Sequence, residues 1–234
     1  MPLPKLSIPD YECVLPRGQK VTYRPFLVRE EKLLYLAMET QDNKEMIKAV
    51  KEIIKNCTNL KKLDDLATFD IEYLFLKIRG KSVGEVSEFK ITCPDDEKTQ
   101  VDVEVNLDEV KVQIPKEHTT ILKVTDEVTI TMKYPSLDVF VKNNLVDNPG
   151  VDDLFKLAAS CTESIAEGED VYEGKDSTTK ELVEFYENMN SQQFALVQQF
   201  IETMPKLSHT LEVFNPKTEV TSPILLEGLA SFFA

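Results

Sequence analysis

Tryptophan is absent from the 234-residue chain, histidine occurs twice, cysteine four times and glycine seven times. Each scarcity removes a class of function. Seven glycines leave no glycine-rich phosphate loop, and His118 and His209 stand far apart in sequence. The cysteines, Cys13, Cys57, Cys93 and Cys161, come no closer than 36 residues. That spacing is neither a disulfide framework nor the two close pairs of a zinc site, so they read as small core residues. No window approaches the about 18 uninterrupted apolar residues of a membrane span, and "MPLPKLSIPDYE" contains no signal-type stretch. The expectation is a cytosolic protein or part of a soluble assembly. Positive charge is also short: 27 Lys plus Arg face 41 Asp plus Glu, a net charge of -14. Such a chain repels nucleic-acid phosphates. The basic runs at Lys61-Lys62 and Lys77–Lys81 read as solvated faces.

What is present is patterned for an α+β fold. Residues 11–15 and 20–24 alternate around "PRGQ", a hairpin signal. "VREEKLLYLAMET" predicts a helix with acids in its first turn. In "NKEMIKAVKEIIKNC", Met46, Ile47, Val50, Ile53, Ile54 and Cys57 make a single helical stripe. "TFDIEYLFLKIRGKSVGE" predicts a helix buried on more than one side, with Thr68 as N-cap and Gly80 marking its end. Alternation then predicts two antiparallel pairs, "EVSEFKITC" with "TQVDVEVNL" and "TTILKV" with "EVTITMKYP". Short helices at "SLDVFVKNN" and "VDDLFKLAASC" flank "VDNPG", and "EGEDVYEGKDS" reads as an acidic loop. A longer helical stretch opens at Thr178 with Glu181 three residues on, a capping box. The chain closes with a strand pair, "HTLEVFN" and "EVTSPILL", and the apolar "EGLASFFA". The expected architecture is an N-terminal β-hairpin with helices, central antiparallel hairpins, and a C-terminal helical half closed by a last hairpin. The expected halves are residues 1–135 and 136–234, which can also form one continuous domain.

"FKITCPDDEKTQVDVEV" looks like half of a metal knuckle, because an apolar strand runs into Cys93-Pro94. The following positions, Asp95, Asp96 and Glu97, bring no second thiol, so the stretch reads as a metal-free hairpin. One internal echo supports this: "HTLEVFNPKTEVTSPILL" repeats the strand, x-Pro turn and strand with Asn215-Pro216 in place of Cys93-Pro94. Gly80-Lys81-Ser82 matches the end of a phosphate loop, but Phe75 stands where that motif needs glycine. Cysteine catalysis through Cys93 with His118, or Cys161 with His209, carries no local signature. Asp95-Asp96 and Asp152-Asp153 read as turn and helix-start acids rather than general acid/base pairs. "AEGEDVYEGKD" lacks the alternating spacing of a Ca²⁺ loop. No catalytic residue, metal ligand or cofactor is expected. In the tail, Leu225, Leu226, Leu229, Phe232 and Phe233 recur at helix-like spacing, which suits either the chain's own core or a docking element.

Three segments in order, "VTYRPFLVREEKLLYLAMET", "TFDIEYLFLKIRGKSVGE" and "MKYPSLD", resemble the baseplate hub family of T-even-type tailed bacteriophages. The residues that carry the resemblance are Tyr23, Arg24, Pro25, Glu31 and Lys32, then Phe69, Asp70, Glu72, Tyr73, Arg79 and Ser82. It is most specific over residues 10–110. Some relatives place Cys-Pro-x-Cys-like turns at such hairpins, and this chain departs from that pattern at both. The resemblance implies a non-enzymatic part in building the central hub of a contractile-tail baseplate. The implied partners are other phage hub or tail proteins, met in the host cytoplasm during assembly or in the virion tail. A dedicated assembly chaperone that leaves the virion is the alternative, and a cysteine- or metal-dependent enzyme a remoter one. The candidate partner-binding residues are Arg24, Asp70, Arg79, Leu229, Phe232 and Phe233. Arg24, Asp70 and Arg79 could instead form a structural ion-pair network.

Overall fold

The computed structural model describes residues 6–40, 42–142 and 150–232, apart from the side chains of residues 43, 140–142, 229 and 230. Among the described residues it holds seven α-helices and eleven strands, in small antiparallel sheets. The chain divides into two compact units. The first comprises Met1–Leu63, Phe69–Gln113 and Lys206–Ala234, and the second Asp64–Thr68 and Ile114–Pro205. The last hairpin therefore folds with the N-terminal elements rather than with the helices that precede it.

The first unit begins with the expected hairpin, β1 (Tyr11–Val14) on β2 (Lys20–Tyr23), with Tyr11 opposite Tyr23. Helices α1 (Val28–Thr40) and α2 (Asn43–Cys57) follow. The α2 stripe faces inward as its spacing dictates: Val50, Ile53, Ile54 and Cys57 are buried, each large aliphatic contributing about 1.5–3 kcal/mol relative to exposure. On α1 only Glu30 and Ala37 are buried, while Val28, Tyr35, Leu36 and Met38 are exposed.

Helix α3 (Thr68–Val83) buries Phe69, Ile71, Leu74, Phe75, Leu76 and Ile78, so it is enclosed on several sides as expected. Both of its expected ends need correction. Thr68 does not cap the helix: its N–H and hydroxyl both donate to the Pro135 carbonyl, at 3.1 Å. Gly80 lies inside the helix, and Gly84 ends it with φ +126°, its N–H bonding the Gly80 carbonyl at 3.2 Å. Only a residue without Cβ enters that backbone conformation easily.

Strands β3 (Val86–Thr92) and β4 (Gln100–Asn106) pair in full register from Val86–Asn106 to Thr92–Gln100. The short β5 (Lys111–Gln113), which the sequence pattern did not reveal, pairs with β10 (Lys206–Phe214), and β10 pairs with β11 (Thr221–Glu227). The core between these hairpins and α3 is Leu76, Phe89, Val105, Leu107, Val110, Leu207, Leu226 and Phe232.

In the second unit, β6 (Ile121–Lys123), β7 (Val128–Met132), β8 (Thr162–Glu167) and β9 (Asp170–Glu173) form one antiparallel sheet in that order. The "EGEDVYEGKDS" segment, expected to be a loop, thus supplies most of a hairpin whose turn is Gly168 at φ +61°. Its β9 residues are all exposed, so no apolar alternation announces the strand. Helices α4 (Leu137–Lys142), α5 (Val151–Cys161), α6 (Thr179–Glu187) and α7 (Ser191–Glu202) complete the unit; of "VDNPG" only Gly150 falls within the described residues. The Thr178–Glu181 capping box is present. The stretch it opens is two helices, because Asn190 accepts from the N–H groups of Gln192 and Gln193 and starts α7. The core gathers Ile130, Met132, Leu157, Ala158, Cys161, Leu182, Tyr186, Val197 and Phe200. Within it the Thr162 hydroxyl donates to the Ala158 carbonyl at 3.0 Å and therefore accepts from Tyr186, at 2.6 Å.

A Cβ built on Gly80 would meet no atom within 4 Å, and the residue sits inside a regular helix. Gly80→Ala is therefore expected to stabilise the protein by about 0.5–1 kcal/mol, read as a rise in the urea midpoint with an unchanged slope.

Candidate functional site

Where the first hairpin leaves for α1, the chain runs Tyr23-Arg24-Pro25-Phe26, and each residue is fastened. The Arg24 N–H donates to the Cys57 carbonyl at 2.8 Å, and Tyr23 bridges to Thr58. The Arg24 guanidinium donates to the carbonyls of Pro25 (2.8 Å) and Asn56 (3.0 Å) and to Glu30 Oε1 (3.0 Å). A cation on the last carbonyls of α2 is favoured by the negative end of the helix dipole. Phe26 N–H donates to Ser82 Oγ at 2.9 Å, and that hydroxyl donates to the Ile78 carbonyl at 2.6 Å.

Glu30 is 1% exposed, so its charge must be met inside the protein. Besides Arg24, it accepts from Arg29 Nε at 2.7 Å and from the Leu27 N–H at 2.9 Å. Burial alone would raise its carboxyl, but the bonds from Arg29, Leu27 and Arg24 together hold it below the ordinary value. A cavity of about 380 Å³ lies beside this cluster, lined by Arg29, Glu30, Leu33 and Asn56. The exposed Val28, Tyr35 and Met38 of α1 recur at i, i+7 and i+10, on one helical face.

The candidate residues fall into distinct settings. Arg24 belongs to the Glu30 cluster. Asp70, fully buried in the first turn of α3, accepts from Arg17 Nε at 2.5 Å. Arg79 is half-buried, and burial lowers its pKa. Phe232 is fully buried in the core of its own unit, and its carbonyl accepts from Ser87 Oγ at 3.2 Å. Leu229 lies in a last 3-10 turn, Leu229–Phe232; its side chain and Phe233 lie outside the described residues. Sequence reasoning missed Glu30, Arg17, Arg29 and Asn56. A glutamate in the first turn of a helix is the only local hint any of them gives.

The other chemistry-bearing groups are committed to structure. All four cysteines are free thiols. Burial pushes Cys57 up to about 11 and Cys161 up to about 12, far from a thiolate at neutral pH. Gly80-Lys81-Ser82 lies inside the last turn of α3, and Lys81 pairs with Glu85 and, at 3.6 Å, Asp108. Asp153 receives the Gly150 N–H at 3.0 Å as a helix-start acid. Among the described residues no three His, Cys, Asp or Glu side chains group as a metal ion requires, and no helix is long and apolar enough to cross a membrane.

His118 is held through both ring nitrogens. Nδ1 lies 2.9 Å from Thr203 Oγ1 and Nε2 2.9 Å from the Tyr134 hydroxyl, with Tyr134 and Phe200 stacked on the ring. Thr203 gives its own hydrogen to the Gln199 carbonyl at 2.7 Å, so Nδ1 carries the proton and Nε2 accepts from Tyr134.

Two predictions follow from these geometries. Arg24→Ala should cost on the order of 2–4 kcal/mol, because it strips bonds from a buried carboxylate and two carbonyls; chemical denaturation measures this, and Glu30→Gln should recover part of the loss in the double variant. Burial lowers the His118 pKa from its ordinary 6.5, against the opposing push of Glu117. Below pH 6.5 the unfolded chain therefore binds more protons at this site than the folded one. The stabilisation is complete above that pH and declines as pH falls toward the folded value. His118→Gln should flatten the melting temperature across this window.

A family model described as "T4 bacteriophage base plate protein" matches residues 8–234, nearly the whole chain. No curated protein and no solved structure matches.

Proposed function

From the premise that this chain belongs to the T4 bacteriophage base plate protein family, we propose that it serves the central hub of a contractile-tail baseplate through protein–protein contact, without catalysis. The observation that carries this reading is the extent of the match, which runs from the first hairpin to the tail. The burial of Cys57, Cys93 and Cys161 and the internal bonds of His118 and Glu30 agree with a role in binding rather than chemistry.

The contact surface we assign is the outer face of α1. Arg24 and Asp70 spend their charges on Glu30 and Arg17, and Phe232 fills its own core, so they act as supports for a surface. Val28, Tyr35 and Met38 present apolar area to solvent at 80%, 60% and 53% exposure. Large exposed apolar side chains in a row are the material of an interface core. The partner in this reading is a neighbouring baseplate or tail protein.

Tyr35→Glu with Met38→Glu should leave circular dichroism and melting temperature unchanged, because both side chains are exposed. Affinity capture from infected cells should then recover at least tenfold less of the tail proteins bound by the natural chain, and phage yield should fall. A folded double variant with undiminished capture would refute the assignment to α1. Mass spectrometry of purified virions separates a resident hub subunit from an assembly chaperone, which is absent from them.

A further inference from the structure

The hairpins β3–β4 and β10–β11 end in turns built alike. The first reads Cys93-Pro94-Asp95-Asp96-Glu97 and the second Asn215-Pro216-Lys217-Thr218-Glu219. In each, the N–H of the fifth residue returns to the carbonyl of the first: Glu97 to Cys93 and Glu219 to Asn215, both at 2.9 Å. The N–H of the first residue crosses to the residue just before the departing strand, from Cys93 to Thr99, six positions on, at 2.8 Å and from Asn215 to Val220, five positions on, at 2.9 Å. The fifth residue is left-handed in both, with φ 55° at Glu97 and 62° at Glu219. Among the described residues these are the two non-glycines at positive φ, a conformation L side chains enter at a cost. The same cost at the same position of two turns marks a shared backbone design.

The two tips meet. Asn215 Nδ2 donates to Asp95 Oδ1 at 3.1 Å and Oδ2 at 3.0 Å, and the Thr218 hydroxyl donates to the same carboxylate. Cys93 and Asn215, the two first positions, are 1% and 0% exposed. Asp96 turns back on its own loop, accepting from the N–H groups of Lys98 (3.0 Å) and Thr99 (2.9 Å) and from the Thr99 hydroxyl (2.6 Å).

Tetrahedral structural zinc sites take their ligands as two close pairs, each two or more residues apart on a tight turn. Positions one and four of these turns are Cys93 and Asp96 on one tip, Asn215 and Thr218 on the other. We infer that the two turns are the halves of a four-position metal knuckle in which Cys93 alone carries a thiol, and that Asp95 supplies the cross-link between tips that a thiophilic divalent cation would supply. An amide and an alcohol are poor zinc ligands, whereas both hold a carboxylate well. The site is therefore latent: three thiols would turn the clasp into a metal centre.

The test uses the full chain under reductant, with Asp96→Cys, Asn215→Cys and Thr218→Cys combined beside the native Cys93. One Co²⁺ per chain should bind with tetrahedral d–d bands and thiolate charge-transfer absorption, and Zn²⁺ should raise the melting temperature; the natural chain should show neither. Because a four-ligand site drives its own folding, a triple variant with no tetrahedral spectrum, folded or not, overturns the knuckle assignment. The clasp is read separately in the natural chain. Asp95→Ala should speed hydrogen exchange at the Glu97 and Glu219 amides at least tenfold, with the β7 and β8 amides unchanged. In the zinc-loaded triple variant the same substitution should leave the two turn amides protected. Unchanged exchange in the natural chain refutes the clasp.

Discussion

A carboxylate with almost no access to water, that of Glu30, sets the arrangement of the first unit. An ionised group in that position is tolerated only when donors surround it, and its donors come from elements that nothing else in the sequence obliges to meet. Arg24 brings the end of the first hairpin, the Leu27 N–H brings the entry to α1, and Arg24 continues to the last carbonyls of α2. One guanidinium thus fixes a strand and two helices. Phe26 extends the same anchorage to α3 through Ser82. With its first turn spent on this polar junction, α1 buries little of its apolar content. Leu33 and Leu34 are half-buried, while Val28, Tyr35, Leu36 and Met38 face outward.

The second unit is organised differently. Among the described residues its internal polar contacts join uncharged partners: buried Thr162 with Tyr186, and half-buried His118 between Thr203 and Tyr134. Aromatic stacking of His118, Tyr134 and Phe200 supplies the directionality that ion pairs supply in the first unit. Among the described residues, burial takes up Cys57, Cys93 and Cys161, and internal bonds take up Glu30 and His118. The large apolar side chains that remain at the surface of the first unit include Val28, Tyr35 and Met38 of α1.

Much of the fold was legible because periodicity survives wherever one face is buried and the other wet. The α2 stripe and the alternation of β3, β4 and β7 gave their elements directly, as did the Thr178–Glu181 box. The remaining elements depart from their patterns for separate local reasons. Strand β9 is wet on both faces, so its composition matched a loop. Gly80 reads as a helix end because glycine so often is one, but Gly84 is the residue that adopts the positive φ. Asn190 breaks the C-terminal helix by capping, a local competition that an apolar stripe running through it conceals. The site was harder still. Arg24 and Asp70 stood out by resemblance, but their partners Glu30 and Arg17 are chosen by tertiary placement, on which spacing is silent.

The faint echo between the two hairpins shows how little sequence a shared geometry needs. Proline at the second position and a left-handed fifth residue fix each turn, and the intervening residues are free to choose what links the tips. A metal would make that link depend on deprotonated thiols and leave it vulnerable to chelators. The carboxylate clasp ignores chelators and gives way only to acid strong enough to protonate a carboxylate. Asp95 is held below its ordinary value of 3.8 by Thr218 and then Asn215, and Asp96 well below it by the Thr99 hydroxyl and the neighbouring N–H groups. Their contribution is whole above that value and lost as pH falls through the folded pKa values. With Asp95 rather than thiols and a metal between them, the two tips are joined by a link that weakens when that aspartate loses its charge.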